Sequence, residues 1–220
     1  MTDAGPDPRT DLALVQLVGA VAYGQLRAWS AAAASVPAAP DVATSEQLAE
    51  LTGRSWDLWR AWRAHLDTLT DLPTAVVERQ RGAFDDFFAG GGDDWEHACI
   101  VLAFSWPIAQ DFTARLAPRL PSPTRELALE LAAGDDGVAD FALGQLAASV
   151  HDDADRDRVR SRVAELVGRA LAGYQRAVLD TDALEVLLDD GGDEGTRRLA
   201  IDVMASHHRR LAALGLDDPA

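Results

Sequence analysis

The chain has 220 residues, of which 48% are hydrophobic and 25% charged, and its formal net charge is −16 from 36 acidic and 20 basic residues. This length suits one domain with a sizeable core. The acidic balance argues against broad binding to nucleic acid or an anionic membrane, because phosphate binding needs a concentrated positive surface. The single cysteine, Cys99, excludes an internal disulfide and a cysteine-rich zinc site, and it favours a cytoplasmic location.

The first part of the chain has the apolar spacing of two long helices. We predict a disordered tail over residues 1–9, followed by a helix over residues 11–34 with its cap at residues 10–11. A second helix is predicted over residues 45–69, with Ser45 as the capping residue. The tail lacks the pattern of a signal peptide.

Prolines and glycines divide the middle of the chain. Pro73 suits the first turn of a third, shorter helix, which the glycines at 90–92 end. A fourth helix is predicted over residues 94–116. Pro107 lies inside it and should kink it, because the proline ring removes one backbone hydrogen bond and clashes with the preceding turn.

The rest of the chain continues the helical pattern, and no segment alternates as a strand would. The predicted helical segments are residues 124–150, 154–179, 182–188 and 194–214. Gly134 and Gly137 are weak points in the first of these segments, and Gly215 stops the last one. No uncharged apolar stretch is long enough to span a membrane.

Five segments together resemble a known family. They are residues 22–26 (AYGQL), 55–59 (SWDLW), 110–112 (QDF), 135–141 (DDGVADF) and 208–216 (HRRLAALGL). In this order they resemble actinobacterial ferritin-like proteins related to the tRNA 2-methylthio-N6-isopentenyladenosine hydroxylase. The resemblance implies an all-α fold: a ferritin-like antiparallel helical bundle with additional short helices, forming one domain over residues 10–216 with a tail at 217–220.

Catalytic members of this superfamily hold two irons in the bundle core, with a Glu from each of two helices and a Glu-x-x-His pair from each of two others. Residues three apart share a helix face, so a carboxylate and an imidazole can reach one cation together. The resemblance places the ligand positions, as they stand in this chain, at Gln25, Ser55, Leu58, Asp111, Asp135 and Val138.

Most of these positions depart from the family pattern. Gln25 and Ser55 replace glutamates, and Leu58 and Val138 replace histidines. No glutamate of the chain is followed three residues later by His. We therefore expect that the fold survives without a di-iron centre, with no catalytic residue, metal or cofactor. Apolar groups would refill the core, and Gln25 and Ser55 would hydrogen-bond each other.

Three tryptophans, Trp56, Trp59 and Trp62, repeat every third residue of the second helix. Such a stripe is typical of core packing, although part of it could form a dimer surface, because aromatic residues are enriched in interfaces. A small apolar pocket could persist beside the predicted kink. Its candidate residues are Trp56, Trp59, Trp106 and Asp140.

The remaining candidates have simpler structural interpretations. Asp94 and His97 are spaced as metal ligands, but a first-turn Asp is also favoured by the helix dipole. His207 and His208 are adjacent, so they point to different faces of a helix. Cys99 lies in an apolar stretch and is expected to be a buried, inert thiol.

Three functions therefore stay open. The first is a non-catalytic binding or scaffold protein, expected as a homodimer with an unknown protein partner. The second is a di-iron oxygenase or hydroxylase whose rearranged site uses Asp111, Asp140 or the pair at 135–136. The third is a binder of a small apolar ligand in the cavity between Trp56, Trp106 and Val138.

Overall fold

The computed structural model describes residues 7–85, 94–134, 137–179, 183–188 and 193–216. These residues form helices and no β-strand, so the predicted all-α fold is confirmed for the described part of the chain. None of the described helices is both long and apolar enough to cross a membrane. The helices are α1 (Pro8–Ser35), α2 (Val42–Leu69), α3 (Pro73–Arg79), α4 (Arg81–Phe84), α5 (Trp95–Ile100), α6 (Trp106–Leu116), α7 (Thr124–Ala133), α8 (Val138–Ser149), α9 (Asp153–Leu179), α10 (Ala183–Leu188) and α11 (Asp193–Ala213).

The first two helices begin earlier than predicted, because aspartates cap them. The Asp7 carboxylate accepts a hydrogen bond from the backbone N–H of Arg9 at 3.1 Å, and Pro8 occupies the first turn of α1. Asp41 caps α2 in the same way through the N–H of Thr44 at 2.8 Å. Ser45, the predicted cap, instead donates its hydroxyl hydrogen bond to the Val36 carbonyl at 2.8 Å.

Pro107 distorts the fourth predicted helix without ending it. Between α5 and α6 the backbone makes one wide π-helical turn, Val101–Ser105, in which the N–H of Trp106 donates to the Val101 carbonyl five residues back. Proline has no N–H to donate within this part of the helix, and the wide turn accommodates that loss. All five residues of the π turn are buried, so the distortion lies inside the core.

The prediction of one helix over residues 124–150 is wrong, because two glycines divide it. Gly134 ends α7, and Gly137 precedes α8 with a φ of +75°, which side chains with a Cβ rarely adopt. A Cβ at Gly137 would also lie 3.2 Å from Leu51 Cδ2. Gly215 has a φ of +63° just after α11, so its predicted role as a stop is confirmed. The glycines at 90–92 lie outside the described residues.

Buried apolar residues form two clusters. The first surrounds the π turn and joins it to α8, the first half of α9 and the facing ends of α1 and α2, for example through Ala28 and Leu48. The second joins the other ends of α1 and α2, for example Leu17 and Trp62, to the end of α6 and to α10. The pair α1–α2 therefore contributes to both cores.

A close approach of α3 to α1 yields a stability prediction. A Cβ at Gly19 would lie 2.4 Å from Val76 Cγ1, and valine is a stiff side chain that cannot swing away easily. We expect Gly19→Ala to lower the free energy of unfolding by about 1–3 kcal/mol through overpacking. Urea unfolding followed by far-UV circular dichroism measures this change.

Gly53→Ala is the matched control, because a Cβ at this helical position meets nothing within 4 Å. We expect it to be neutral or to stabilise the protein by up to about 1 kcal/mol through helix propensity. Equal stabilisation by both substitutions would contradict the tight contact between α1 and α3.

Candidate functional site

Two of the positions that resemble iron ligands meet between α1 and α2. Gln25 is 5% exposed and Ser55 is 1% exposed. The Gln25 amide Nε2 donates to the Ser55 backbone carbonyl and to the Ser55 Oγ, each at 3.4 Å. The predicted hydrogen bond between these side chains is therefore present, at the long end of the accepted range.

The pair lies at the junction of the two cores. Along α1, Gln25 falls between Ala22 of the second cluster and Ala28 of the first. Along α2, Ser55 falls between Leu51 of the first cluster and Trp62 of the second. A polar pair at such a place must be satisfied internally, because apolar groups adjoin it on either side along both helices.

The two apolar replacements are placed differently. Val138 opens α8, is 1% exposed and belongs to the first core. Leu58 is only half-buried on α2. Val138 is thus a core position, whereas Leu58 lies at the edge of the bundle.

Of the carboxylates proposed for a rearranged metal site, the structure describes Asp111 and Asp140, which lie in different surroundings. Asp111 pairs with Arg210 of α11 at 2.8 Å, and both side chains are about one-fifth exposed. Asp140 is exposed in the first turn of α8, so it lines no buried pocket. Asp135 and Asp136 lie outside the described residues. No group of three or more His, Cys, Asp or Glu in the described part of the chain could hold a metal ion.

The described ligand positions therefore do not fit a di-iron centre. Four of the five described positions carry a neutral amide, a hydroxyl and two alkyl groups, which offer almost no negative charge to offset a pair of iron ions. The fifth, Asp111, carries a carboxylate that is paired with Arg210. The amide and hydroxyl are also turned towards each other. We derive no chemical step through such a centre.

Three of the six tryptophans form a half-buried cluster, two are buried, and Trp95 is half-buried beside Phe141. The rings of Trp29 and Trp56 lie 4.6 Å apart at their centroids, and those of Trp56 and Trp59 lie 4.3 Å apart and are stacked. We call these three residues the tryptophan cluster; each is half-buried. Trp62 is buried in the second core and Trp106, 3% exposed, in the first.

The residues predicted to line one pocket are thus divided among three environments. Trp106 lies in the first core with Val138, Trp56 and Trp59 stack outside both cores, and Asp140 is exposed. A separate apolar crevice, lined by residues such as Leu17, Trp62 and Thr113, has no space for a water molecule.

A polar contact ties the region after α4 to the same part of α1. The Tyr23 hydroxyl donates to the Asp85 carboxylate, and Arg27 Nε lies 3.2 Å from the same carboxylate. Burial raises the pKa of Tyr23, and Asp85 raises it further. The hydroxyl therefore stays protonated and acts as a structural donor.

Asp94, Cys99 and His208 have surroundings that fit a structural role. Asp94 caps α5 by accepting from the N–H of His97 at 3.2 Å. Cys99 is buried, and burial raises the pKa of its thiol to about 12, so little thiolate forms near neutral pH. His208 is exposed, and its Nδ1 lies 2.9 Å from the Met204 carbonyl.

Sequence reasoning missed the burial of His207, which is 3% exposed in α11. Its Nδ1 has no hydrogen-bond partner, and burial lowers its pKa to about 4. The signal was available, because His207 follows the buried residues Leu199 and Val203 at intervals of four. Ser105 Oγ and Trp106 Nε1 are also buried without partners.

The comparisons with known proteins agree with this architecture. A family model described as "Ferritin-like domain, actinomycetes" matches residues 8–191. The match covers most of the chain, so this chain belongs to that family of ferritin-like domains. No match was found among curated proteins.

The Gln25–Ser55 pair yields a second prediction. Gln25→Glu introduces the glutamate that the resemblance implies at this position and places a carboxylate beside the Ser55 carbonyl. We expect it to lower the free energy of unfolding by about 2–4 kcal/mol at pH 8, because a buried, unpaired carboxylate is costly.

The pH dependence has a defined sign. Burial raises the pKa of such a carboxyl above its unfolded value, so the cost should grow as the pH rises above about 4.3 and shrink towards acid. Urea unfolding at pH 5.5 and pH 8 measures this difference. Gln47→Glu, at an exposed position of α2, is the matched control and should change little at either pH. A Gln25→Glu protein as stable as wild type at pH 8 would show that this site is hydrated or binds a cation.

Proposed function

We propose that this protein is a non-catalytic ferritin-like protein that has no di-iron centre and acts as a binding or scaffold protein. The observation that carries the proposal is the hydrogen bond between Gln25 and Ser55. It joins the side chains at two positions that resemble iron-ligand positions, and neither of these side chains is charged. Val138, buried at a third such position, supports the same conclusion.

The alternative of a di-iron oxygenase has less support. Asp111, one of its proposed ligands, is neutralised by Arg210, and Asp140 is exposed. The alternative of a small apolar-ligand binder is weakened because its proposed lining residues Trp56 and Trp106 lie in different environments.

Metal content tests the proposal directly. Protein expressed in medium supplemented with iron, manganese and zinc should contain less than about 0.1 metal ion per chain by elemental analysis, because affinity depends on the charge and number of donors. It should also leave dioxygen unconsumed when ferrous iron is added.

A variant with the glutamates and histidines that the resemblance implies is the positive control, because it shows that the assay can detect a metal site. It carries Gln25→Glu, Ser55→Glu, Leu58→His and Val138→His, and circular dichroism establishes that it folds. Metal in the folded variant and none in the wild type would support the proposal. One or two metal ions per wild-type chain would overturn it, and loss of that metal in Asp111→Asn would then favour the oxygenase.

The tryptophan cluster supports the binding half of the proposal. Trp29, Trp56 and Trp59 expose part of a continuous aromatic surface outside both apolar cores. Tryptophan is among the residues that contribute most to binding at protein interfaces. We propose that this surface joins two copies of the chain in a homodimer.

Sedimentation equilibrium tests the homodimer. Wild-type protein should sediment as a dimer, and Trp56→Gln should weaken association by about tenfold or more, the scale of an interface hot spot. Val42→Gln, at a residue of α2 that is 73% exposed, should leave the association unchanged. A monomeric wild type, or a dimer unaffected by Trp56→Gln, would refute this assignment of the surface.

A further inference from the structure

Helix α11 packs against the π turn through His207, a buried histidine. The rings of His207 and Phe104 meet edge to face with centroids 5.6 Å apart, and Phe104 lies within the π turn. His207 is almost completely buried, and its Nδ1 meets no acceptor or donor. The imidazole therefore packs as an apolar ring while keeping the ability to bind a proton.

Among the described residues of α6 and α11, the charged groups near this contact offer no free counter-ion for that proton. On α6, Asp111 is paired with Arg210 at 2.8 Å, and Arg115 is paired with Asp202 at 3.3 Å. On α11, Arg209 donates to Ser206 at 2.7 Å, and His208 is exposed with its ring 6.0 Å from that of His207.

The other packed elements add no free acid among the described side chains. The π turn carries no titratable residue, and the one acid of α10, Glu185, is exposed. Both carboxylates at the α6–α11 contact are committed to arginines. A protonated His207 would thus be a buried cation without a partner, beside the positive charge of Arg210.

We propose that α11 is an acid-sensitive latch, which stays closed over the π turn while His207 is neutral and opens when His207 takes up a proton. The direction of this pH effect follows from the different proton affinities of His207 in the closed and detached states. The unfolded or detached helix binds the proton near pH 6.5, whereas burial in the closed state lowers the pKa of His207 to about 4. The stability of the closed latch is therefore complete above about pH 6.5 and falls as the pH drops towards 4.

Opening would uncover a defined apolar surface. Phe104 and its neighbours in the π turn are fully buried in the closed state, and part of their cover is α11. Loss of this contact would expose an aromatic side chain of the first core to solvent or to a partner.

Hydrogen exchange measured by mass spectrometry tests the latch in the full-length protein. After correction for the intrinsic exchange rate, protection of α11 should fall by about 30-fold between pH 7.5 and pH 5, the ratio expected from pKa values of 6.5 and about 4. Peptides from α2 should change far less, because the latch does not include that helix.

Substitutions of His207 and His208 test whether His207 alone causes the pH dependence of α11 protection. His207→Phe keeps an apolar ring without a titrating group, and its α11 protection should change less than about threefold over the same pH range. His207→Gln gives a second non-titrating variant should phenylalanine prevent folding. His208→Gln, at the exposed neighbour, should keep the wild-type response.

Three results would overturn the proposal. The first is wild-type α11 protection that is equal at the two pH values. The second is a folded His207→Phe or His207→Gln protein that loses as much protection as wild type. The third is loss of the response in His208→Gln.

Discussion

The contact of α1 with α2 is the constraint on which the remaining packing depends. The two helices contribute to both apolar cores, and Gln25 and Ser55 meet where one core gives way to the other. Because the Gln25 amide donates to the Ser55 carbonyl and hydroxyl, the two long helices can bury these polar side chains against each other. In a site built for cations, the same two positions would carry charge that only a bound ion could balance.

The π turn before Pro107 links this pair of helices to the end of the chain. A turn that spans five residues holds one residue more than an α-helical turn, so every residue beyond it is rotated by about 100° relative to an uninterrupted helix. In the resulting helix, Phe104, Asp111 and Arg115 all contact α11. A proline that would end most helices therefore helps to set which face of α6 receives α11.

Much of the fold could be predicted from local chemistry, and the errors have physical causes. Apolar spacing located the long helices, and Gly215 marked the end of α11 because its positive φ suits glycine. The division at Gly134 and Gly137 was missed because a helix tolerates a single glycine, and only the backbone conformation of Gly137 distinguishes a break from a weak point. The early starts of α1 and α2 are not evident from the sequence, because Asp7 and Asp41 each adjoin a proline, a residue typical of loops.

The candidate site likewise contains one contact that could be predicted from the sequence and one that could not. The hydrogen bond of Gln25 with Ser55 followed from the family resemblance, which places these two polar residues together in the bundle core. The partner of Asp111 did not follow, because Arg210 lies 99 residues away and nothing in the spacing of either residue points to the other. A carboxylate that looks free to bind a metal in the sequence is in the fold an anchor for the last helix. In the fold, two uncharged side chains pair at positions that resemble iron ligands, and one arginine neutralises the acid at a third.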